Sequence, residues 1–451
     1  MDNKRSSFTG KLGFVLAAAG SAVGLGNLWR FPYLAAKYGG GIFLLVYIIL
    51  AITFGFALMM AEVAIGRKTG LSAIGAYKKL DRRFGFIGYL AALVPIIILP
   101  YYSVIGGWVT KYLAMFASGY MENVADPKYF DLFIGKNVQP IVWFLVFIGL
   151  TALIVLFGVE KGVEKVSKVM MPVLVVLSAG IAIYVICQPG AWEGVVYYLK
   201  PDFSKFSITT VVAAMGQLFY SMSLAMGIMI TYGSYMKQNV HLEKSVRQIE
   251  LFDTGIAFTA GLMIVPAVFI FSGGDPAALN KGPSLMFVTL PQVFNSMPAG
   301  NIIGTAFFLL VLFAALTSSI SLMETIVSIL QDKFKWNRTI SCLAVFLLCI
   351  VLGLLSCLGY SGWSSVKIIG LQFLDFFDFI SNSVCMPIVA LLTSIFVGYF
   401  LKPQKLIKEV EKNGNFKAKK LFIIVIKYVA PVCLVAIFTF SIMEVFGFIT
   451  V

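Results

Sequence analysis

Apolar stretches recur along the whole sequence, each about 20 residues long and therefore long enough to cross the ~30 Å hydrocarbon layer of a membrane. Only helices and closed β-barrels can span that layer, because lipid offers no partners to backbone hydrogen-bonding groups. Barrel strands would give short segments of alternating polarity, whereas these apolar runs are uninterrupted. The composition, 59% hydrophobic and 12% charged, also lies far from the roughly 25% charged residues of soluble domains. The sequence therefore predicts an all-α membrane protein.

The apolar stretches give eleven predicted transmembrane segments, numbered 1 to 11 in chain order. They cover residues 12–37, 42–66, 87–117, 140–158, 166–187, 207–236, 251–272, 301–330, 340–357, 371–401 and 421–448. We expect one domain over residues 1–451, with the lipid bilayer as its surroundings.

The chain carries 35 Lys and Arg against 21 Asp and Glu. An excess of basic residues can indicate a nucleic-acid partner, but here the basic residues are concentrated in alternate loops, such as 67–83, 237–247 and 402–420. Cytoplasmic loops of membrane proteins are enriched in Lys and Arg in this way. The charge therefore indicates topology and no nucleic-acid partner. It predicts an inner (plasma) membrane protein with a cytoplasmic N-terminus and an extracellular C-terminus.

The sequence lacks the residues that a membrane-embedded enzyme would need. Its only histidine, His241, lies in a basic loop, and its six cysteines lie in or at the ends of apolar segments without CxxC spacing. Neither a nucleophile–histidine pair nor a His/Cys metal site can be assembled from them. We therefore expect no enzymatic activity.

Segment 1 contains a run that makes a poor continuous helix, GSAVGLGN at 20–27. Glycine has high backbone entropy and weakens a helix. Gly20 and Gly24 could instead form a small-xxx-small packing pair, but this would leave Gly26 and Asn27 unexplained. The run favours an unwound stretch in the middle of the membrane.

Segment 6 has a second candidate interruption at 220–227, which is weaker evidence by itself because Ser and Met are common in buried helices. Paired interruptions in two halves of a chain indicate a transport site between inverted repeats. We expect the repeats at 12–187 (segments 1–5) and 207–401 (segments 6–10), with 421–448 as an additional helix. The broken ends would offer N–H groups to a carboxylate and C=O groups to a cation.

The chain resembles the neurotransmitter:sodium symporter family, and within it the bacterial amino acid transporters. The resemblance is carried by seven motifs: AGSAVGLGNLWRFPY at 19–33, GGGIFLLVY at 39–47, AEVAIGR at 61–67, YYSVIGGW at 101–108, GQLFYSMSLAMGIMITYGSY at 216–235, AALTSSIS at 314–321 and DFFDF at 375–379. No segment corresponds to the family's twelfth helix. The resemblance implies a sodium-coupled symporter for a neutral amino acid, built from two inverted five-helix repeats with a substrate site at the midplane.

The resemblance implies two Na⁺ sites. Site 1 would be formed by the substrate carboxylate and oxygen atoms near the interruptions: Ala22, Asn27, Ser221 and a group on segment 7. Site 2 would be formed by three carbonyls and two hydroxyls: Gly20, Val23, Ala314, Thr317 and Ser318. These hydroxyls could otherwise bond back to their own helix, and the same ligands could accept Li⁺ or H⁺.

The implied substrate site lies between the two interruptions. The substrate carboxylate would be bound by the N–H groups of Leu25 and Gly26 and by the hydroxyl of Tyr102, which could otherwise be a membrane-interface tyrosine. The amine would be bound by carbonyls of the interruptions. The residues expected around the substrate are Ser21, Ala22, Gly24, Leu25, Gly26, Ile98, Tyr102, Ile105, Tyr220, Ser221, Ser223, Met226, Ser318 and Leu322. None of them is an acid or a base, so we expect a hydrophobic or aromatic neutral amino acid.

The resemblance also implies a gate on each side of the substrate. The extracellular gate would be Arg30 and Asp378, above the ring of Tyr220. The cytoplasmic gate would be formed by Arg5 and Asp332, with Tyr235 supporting Asp332 and Phe8 packing below. Arg5 and Asp332 could equally be solvated loop residues, and an ion pair between them would then contribute ~0–1 kcal/mol to stability.

Segment 5 begins with the spacing Gly162-X9-Pro172, which resembles a family motif for unwinding its cytoplasmic end and admitting water to site 2. Pro172 removes one helical hydrogen bond, and Gly162 weakens the turn before it. A helix start followed by a simple kink is the alternative. Glu62 lies in an apolar segment and needs a partner; the resemblance implies a hydrogen bond to the interruption in segment 6.

Asp253 begins segment 7 and is the expected anionic group of site 1. It could simply be an acid favoured by the helix dipole. In the family, chloride-dependent members bind Cl⁻ close to this position, near residues that match Tyr47, Gln217 and Ser221, and chloride-independent bacterial members have a fixed acid there. We therefore expect transport without chloride.

Two other functions are compatible with the same residues. An amino-acid-gated channel or sensor on this scaffold would bind the same ligand but would show no concentrative, Na⁺-driven uptake. A carrier of a biogenic amine or osmolyte is the second alternative. Amine carriers of the family have an Asp where this chain has Gly24, so the substrate is expected to supply its own carboxylate.

Overall fold

The computed structural model describes residues 7–273 and 283–445, and this part of the chain is helical apart from two isolated bridges between extended residues. In chain order the helices are α1 (Lys11–Ala22), α2 (Gly26–Lys37), α3 (Gly41–Thr69), α4 (Ala73–Leu80), α5 (Arg82–Ala117), α6 (Met121–Val124), α7 (Tyr129–Ile134), α8 (Gln139–Leu156), α9 (Val159–Ile186), α10 (Ala191–Leu199), α11 (Ile208–Ser221), α12 (Ile228–Tyr235), α13 (Leu242–Ser272), α14 (Leu290–Ser296), α15 (Gly300–Phe334), α16 (Arg338–Leu358), α17 (Phe373–Leu401), α18 (Pro403–Val410) and α19 (Lys419–Met443). A helical turn, Leu285–Thr289, precedes α14, and short 3-10 turns lie at Phe203–Lys205 and Glu411–Asn413.

The all-helical membrane fold predicted from the sequence is confirmed. Within the described residues, nine helices are long and apolar enough to cross a membrane, and α1 with α2 makes a tenth crossing bent by 54°. Predicted segment 6 corresponds to the shorter apolar helix α11 followed by α12. Helix length and composition thus support up to ten crossings, and the count of eleven stays a prediction. The end of segment 11, at 446–448, lies outside the described residues.

Both expected interruptions are present. α1 ends at Ala22 because Val23 has extended backbone (φ −72°, ψ 102°), and helical structure resumes at Gly26. Between α11 and α12, Ser223 and Ala225 have φ of 52° and 61°. Left-handed backbone costs a residue with a Cβ roughly 1–2 kcal/mol, and it cannot continue a right-handed helix. The chain therefore leaves helical geometry twice inside its buried core.

Helices α3 and α12 pack with their backbones in contact. Gly66 of α3 lies against the carbonyl of Ile230, and Gly233 of α12 lies against the carbonyl of Val63. A Cβ atom at either glycine would collide with the opposite backbone. This close approach holds α12, the second half of segment 6, against α3.

Candidate functional site

A cavity of about 30 Å³ lies where the two interruptions meet. Every predicted substrate residue except Ile105 lines it, and the structure adds Asn27 and Ile228: the lining is Ser21, Ala22, Gly24, Leu25, Gly26, Asn27, Ile98, Tyr102, Tyr220, Ser221, Ser223, Met226, Ile228, Ser318 and Leu322. Ile105 lines the larger space above the cavity. Asn27 was expected only as an ion ligand, and Ile228 was missed because it lies beyond the interruption, on the first residue of α12.

Hydrogen bonds join the two interruptions directly. The Ser223 hydroxyl donates to the carbonyl of Ser21 at 2.9 Å, and the hydroxyls of these residues lie 3.3 Å apart. The Leu25 N–H donates to the Tyr102 hydroxyl at 3.4 Å. Tyr102 is thus buried inside the protein beside the first N–H groups of α2 and is not a membrane-interface tyrosine.

Asp253 lies behind Asn27 and Ser221 of the cavity lining, in a fully buried cluster of polar groups. Its Oδ1 accepts hydrogen bonds from the Ser221 hydroxyl at 2.7 Å and from Asn27 Nδ2 at 2.8 Å. The Tyr47 hydroxyl donates to Oδ2 at 3.4 Å, and Gln217 Nε2 donates to the carbonyl of Gly26 at 3.0 Å. Of the three residues expected around an anion position, Tyr47 and Ser221 therefore bond the Asp253 carboxylate, and Gln217 bonds the neighbouring start of α2.

Ser318 and Thr317 face the carbonyl end of α1. The Ser318 hydroxyl lies 3.1 Å from the carbonyl oxygen of Ser21, 3.3 Å from that of Val23 and 3.5 Å from that of Gly20. The Thr317 hydroxyl donates to carbonyls of its own helix, including Ala314 at 3.1 Å. Thr317 thus bonds back to its own helix, which was the alternative left open by the sequence. The Ser318 hydroxyl instead bonds to the carbonyls of the interruption in segment 1. The residues expected at site 2 are adjacent, and every one of their oxygens is a hard donor suited to Na⁺.

A second space of about 440 Å³ lies on the other side of Tyr220, which lines both this space and the cavity. Arg30 and Asp378, the expected extracellular gate, both line this space. The Arg30 guanidinium lies over the Tyr220 ring, 5.6 Å from its centroid. Asp378 accepts from Tyr101 at 3.2 Å, and no ion pair among the described residues joins Arg30 to Asp378. We refer to this space as the vestibule.

The opposite end, where the cytoplasmic gate was expected, is closed by packing around Phe8. Its ring contacts Tyr232 and Tyr235 edge-on, with centroids 5.5 and 6.1 Å apart. Asp332 accepts from the Ser72 N–H at 2.7 Å. Arg5, the other half of the expected gate, lies outside the described residues.

The resemblance implied that Tyr235 supports Asp332, and this contact stays a prediction. The Tyr235 hydroxyl donates at 2.8 Å to Glu324, which is fully buried, pairs with Arg338 and needs further donors. Arg338 Nε also donates to the carbonyl of Val155 at 2.8 Å. This pair was not predicted from the sequence, although a carboxylate inside apolar segment 8 indicates a buried partner.

Two further expectations concern the helices around the cavity. Glu62 accepts from the Ala225 N–H at 2.7 Å, which confirms its expected hydrogen bond to the interruption in segment 6. In α9, Gly162 lies against the carbonyl of Ile154, and Pro172 lies inside the helix.

The family model of the sodium:neurotransmitter symporter family matches residues 5–122 and 134–448. The chain belongs to this family. It is therefore a multi-pass membrane protein of a family of sodium-dependent transporters, which carry small molecules and are not enzymes.

Members of the family from several organisms are similar along almost the full chain. A sodium-dependent transporter of Bacillus subtilis (strain 168), YhdH, is 36% identical over 445 residues, which cover 97% of this chain and 98% of that protein. The human sodium- and chloride-dependent GABA transporter 2 is 25% identical over 500 residues, covering 98% of this chain and 80% of the human protein. Among solved structures, MhsT in complex with L-phenylalanine has a TM-score of 0.87 and 36% identity, covering 97% of this chain and all of that chain.

Proposed function

We propose that this protein is a chloride-independent, sodium-coupled symporter that imports a neutral amino acid with a hydrophobic or aromatic side chain. Transport would proceed by alternating access, with two Na⁺ ions bound per substrate site. The proposal rests on one observation, the cavity at the meeting point of the two interruptions. This one buried space adjoins both the N–H end of α2 and the carbonyl end of α1.

The main-chain groups around the cavity suit an amino acid and a cation at the same time. The N–H end of α2, at Leu25 and Gly26, carries the partial positive charge that favours a carboxylate. The carbonyl end of α1, at Gly20 and Val23, favours a cation instead. A substrate carboxylate on the N–H groups would also complete the expected site 1 beside Asn27, so that binding of the ion and of the substrate would be coupled.

The remainder of the lining suits an apolar side chain. Ile98, Met226, Ile228 and Leu322 line the cavity, and no acid or base does. A charged side chain would lose its hydration there without gaining a partner. Met226 can adapt to different shapes, and the similar MhsT has been solved with L-phenylalanine. Leucine, phenylalanine, tyrosine and tryptophan are therefore the expected substrates.

Asp253 supports independence from chloride. Two Na⁺ ions and a zwitterion would leave positive charge in a medium of low dielectric constant, where one carboxylate offsets much of it. Asp253 has the position and the neighbours for this role, since its Oδ1 already accepts from Asn27 and Ser221. A fixed carboxylate at site 1 would replace a bound anion.

The fold suits alternating access in a membrane. The vestibule opens above Tyr220, and the cytoplasmic end is closed around Phe8. We place the N-terminus in the cytoplasm and the C-terminus outside the cell, in the inner (plasma) membrane. We also propose that residues 12–187 and 207–401 are the two inverted repeats and that α19 is the additional helix.

Uptake into proteoliposomes with an inward Na⁺ gradient tests the proposal. Labelled leucine or tryptophan should accumulate only with Na⁺, equally well when gluconate replaces chloride, and unlabelled glutamate or lysine should not compete. Asp253→Asn should lose uptake or come to require chloride, whereas Asp81→Asn, at an exposed carboxylate, should not. Accumulation without Na⁺, or failure of the wild type when chloride is withdrawn, would refute the corresponding part.

A further inference from the structure

Glu164 is a buried carboxylate at the cytoplasmic start of α9, only 1% exposed and two residues after Gly162. It forms two kinds of contact. Its Oε2 accepts from the backbone N–H of Thr9 at 2.8 Å, and its Oε1 accepts from the Thr9 hydroxyl. Lys168, one turn further along α9, pairs with Oε1 at 2.6 Å. One carboxylate therefore joins α9 to the residues that precede α1.

The start of α1 is shaped to receive this carboxylate. A Cβ atom at Gly13 would collide with the Glu164 side chain, so the helix leaves room for it. A negative charge is favourable here because the N-terminal end of a helix carries partial positive charge. Lys168 Nζ also donates to the Thr9 hydroxyl at 3.2 Å, and Lys237 Nζ donates to the Thr9 carbonyl at 2.8 Å.

Within α9, the same carboxylate lies just before the turn that the sequence weakens. Glu164 and Lys168 are an i,i+4 pair between Gly162 and Pro172. Because proline has no N–H, Pro172 cannot donate the helical hydrogen bond to the carbonyl of Lys168, four residues earlier. The turn 168–172 therefore lacks one helical hydrogen bond, and the Glu164–Lys168 ion pair stabilises the turn next to it.

We propose that Glu164 is a positioning residue that couples unwinding of the cytoplasmic end of α9 to release of the start of α1. Unwinding the turn 164–168 separates Lys168 from Glu164 and withdraws the carboxylate from Thr9. α1 is then free to move away from α9 at its cytoplasmic end. Because the carbonyl end of α1 contributes Gly20 and Val23 to the expected site 2, this motion opens that site to the cytoplasm. The inference rests on the proposed transport function and adds the contact through which α9 acts on α1.

Hydrogen–deuterium exchange of the purified full-length protein in NaCl tests this coupling. Glu164→Gln weakens the contact by removing the charge, and Gly13→Ala displaces the carboxylate while leaving it in the chain. Both should accelerate exchange of the amides at 10–22 as well as 159–172, by at least about fivefold, since local opening sets the exchange rate. The matched control is Glu160→Gln, an exposed carboxylate of the same helical turn, which should leave both segments unchanged.

Acceleration confined to 159–172 would show that Glu164 stabilises only its own helix and would overturn the coupling, as would unchanged exchange in both variants. If Glu164→Gln unfolds the protein, as judged by size-exclusion chromatography, Gly13→Ala alone decides the question. Exchange is measured without transport. A negative result here with Na⁺-driven uptake intact therefore refutes the coupling and not the transport function, and a wild type without uptake leaves the exchange result valid.

Discussion

The two ends of the molecule use arginine in opposite ways. In the outer half, Arg30 borders the open vestibule and lies over the ring of Tyr220, without an ion pair to Asp378 among the described residues. In the cytoplasmic half, Arg67 is fully buried and pairs with Glu409 of α18 at 3.1 Å, while Arg338 pairs with buried Glu324. Under the proposed alternating access, the outer end could close on a substrate without breaking such pairs, whereas the inner end would have to break buried ion pairs or move them intact in order to open.

The largest effect should come from breaking the buried pair at the cytoplasmic end. Arg67→Ala leaves Glu409 paired only with the half-exposed Lys412, and removing one member of a buried pair costs up to about 3–5 kcal/mol. Its control is Arg83→Ala, whose pair with Asp81 is exposed and should contribute only ~0–1 kcal/mol. Chemical denaturation in detergent measures both variants, and equal losses of unfolding free energy would contradict the asymmetry between buried and exposed pairs.

The next effect concerns the speed at which the closed end opens. Pro172→Ala restores a helical hydrogen bond in α9 and should slow Na⁺-driven uptake about tenfold, equivalent to ~1.4 kcal/mol in the barrier. Na⁺-dependent substrate binding, measured by scintillation proximity, should be unchanged because Pro172 does not line the cavity. Wild-type uptake in this variant would argue that the Gly162–Pro172 spacing is a simple kink.

A smaller effect is expected at His241, which caps α13 at the cytoplasmic end through Nδ1, an acceptor for the Lys244 N–H at 3.4 Å. Burial and the neighbouring Lys244 lower the pKa of His241. A lowered folded-state pKa contributes stability that is fully present above the unfolded value of about 6.5 and is lost as the pH falls below it. His241→Asn keeps an acceptor that does not titrate and should reduce this pH dependence, and His241→Ala should cost ~1 kcal/mol at pH 8. A pH profile identical in wild type and His241→Asn would exclude His241 as its source.

The smallest change in stability should follow substitution in the outer half. Arg30→Met removes only the contact with the Tyr220 ring, worth ~0.5–1 kcal/mol. Arg30→Lys retains a cation and should lose less. A loss as large as that of Arg67→Ala would show that Arg30 is a buried structural residue and would remove the distinction between the two ends.

The sequence predicted most of the fold because the determinants of a membrane helix are local. Long apolar runs, the glycines at 20–26 and the serine-rich run at 220–227 each specify their own geometry. The resemblance then located the cavity residues apart from Ile228 and added Ile105, which lines the vestibule instead. Motif positions transfer where the backbone is the same. Contacts between distant side chains were harder to predict. The resemblance assigned Tyr235 to Asp332, and only the packing of α12 against α15 shows that its hydroxyl donates to Glu324. Glu164 illustrates the same difficulty, since nothing in the residues near it indicates a partner 155 positions away.

The glycine contacts between α3 and α12 determine how far a change at the cavity extends. Two helices whose backbones touch at Gly66 and Gly233 cannot slide past each other by repacking side chains. Rotation of residues 222–227 around a ligand would therefore move α12 and α3 together as one rigid body. The turn after α3, where the N–H of Ser72 is bound to Asp332, lies at the far end of this pair of helices. Ligand binding in the cavity would thus displace this turn at the cytoplasmic surface.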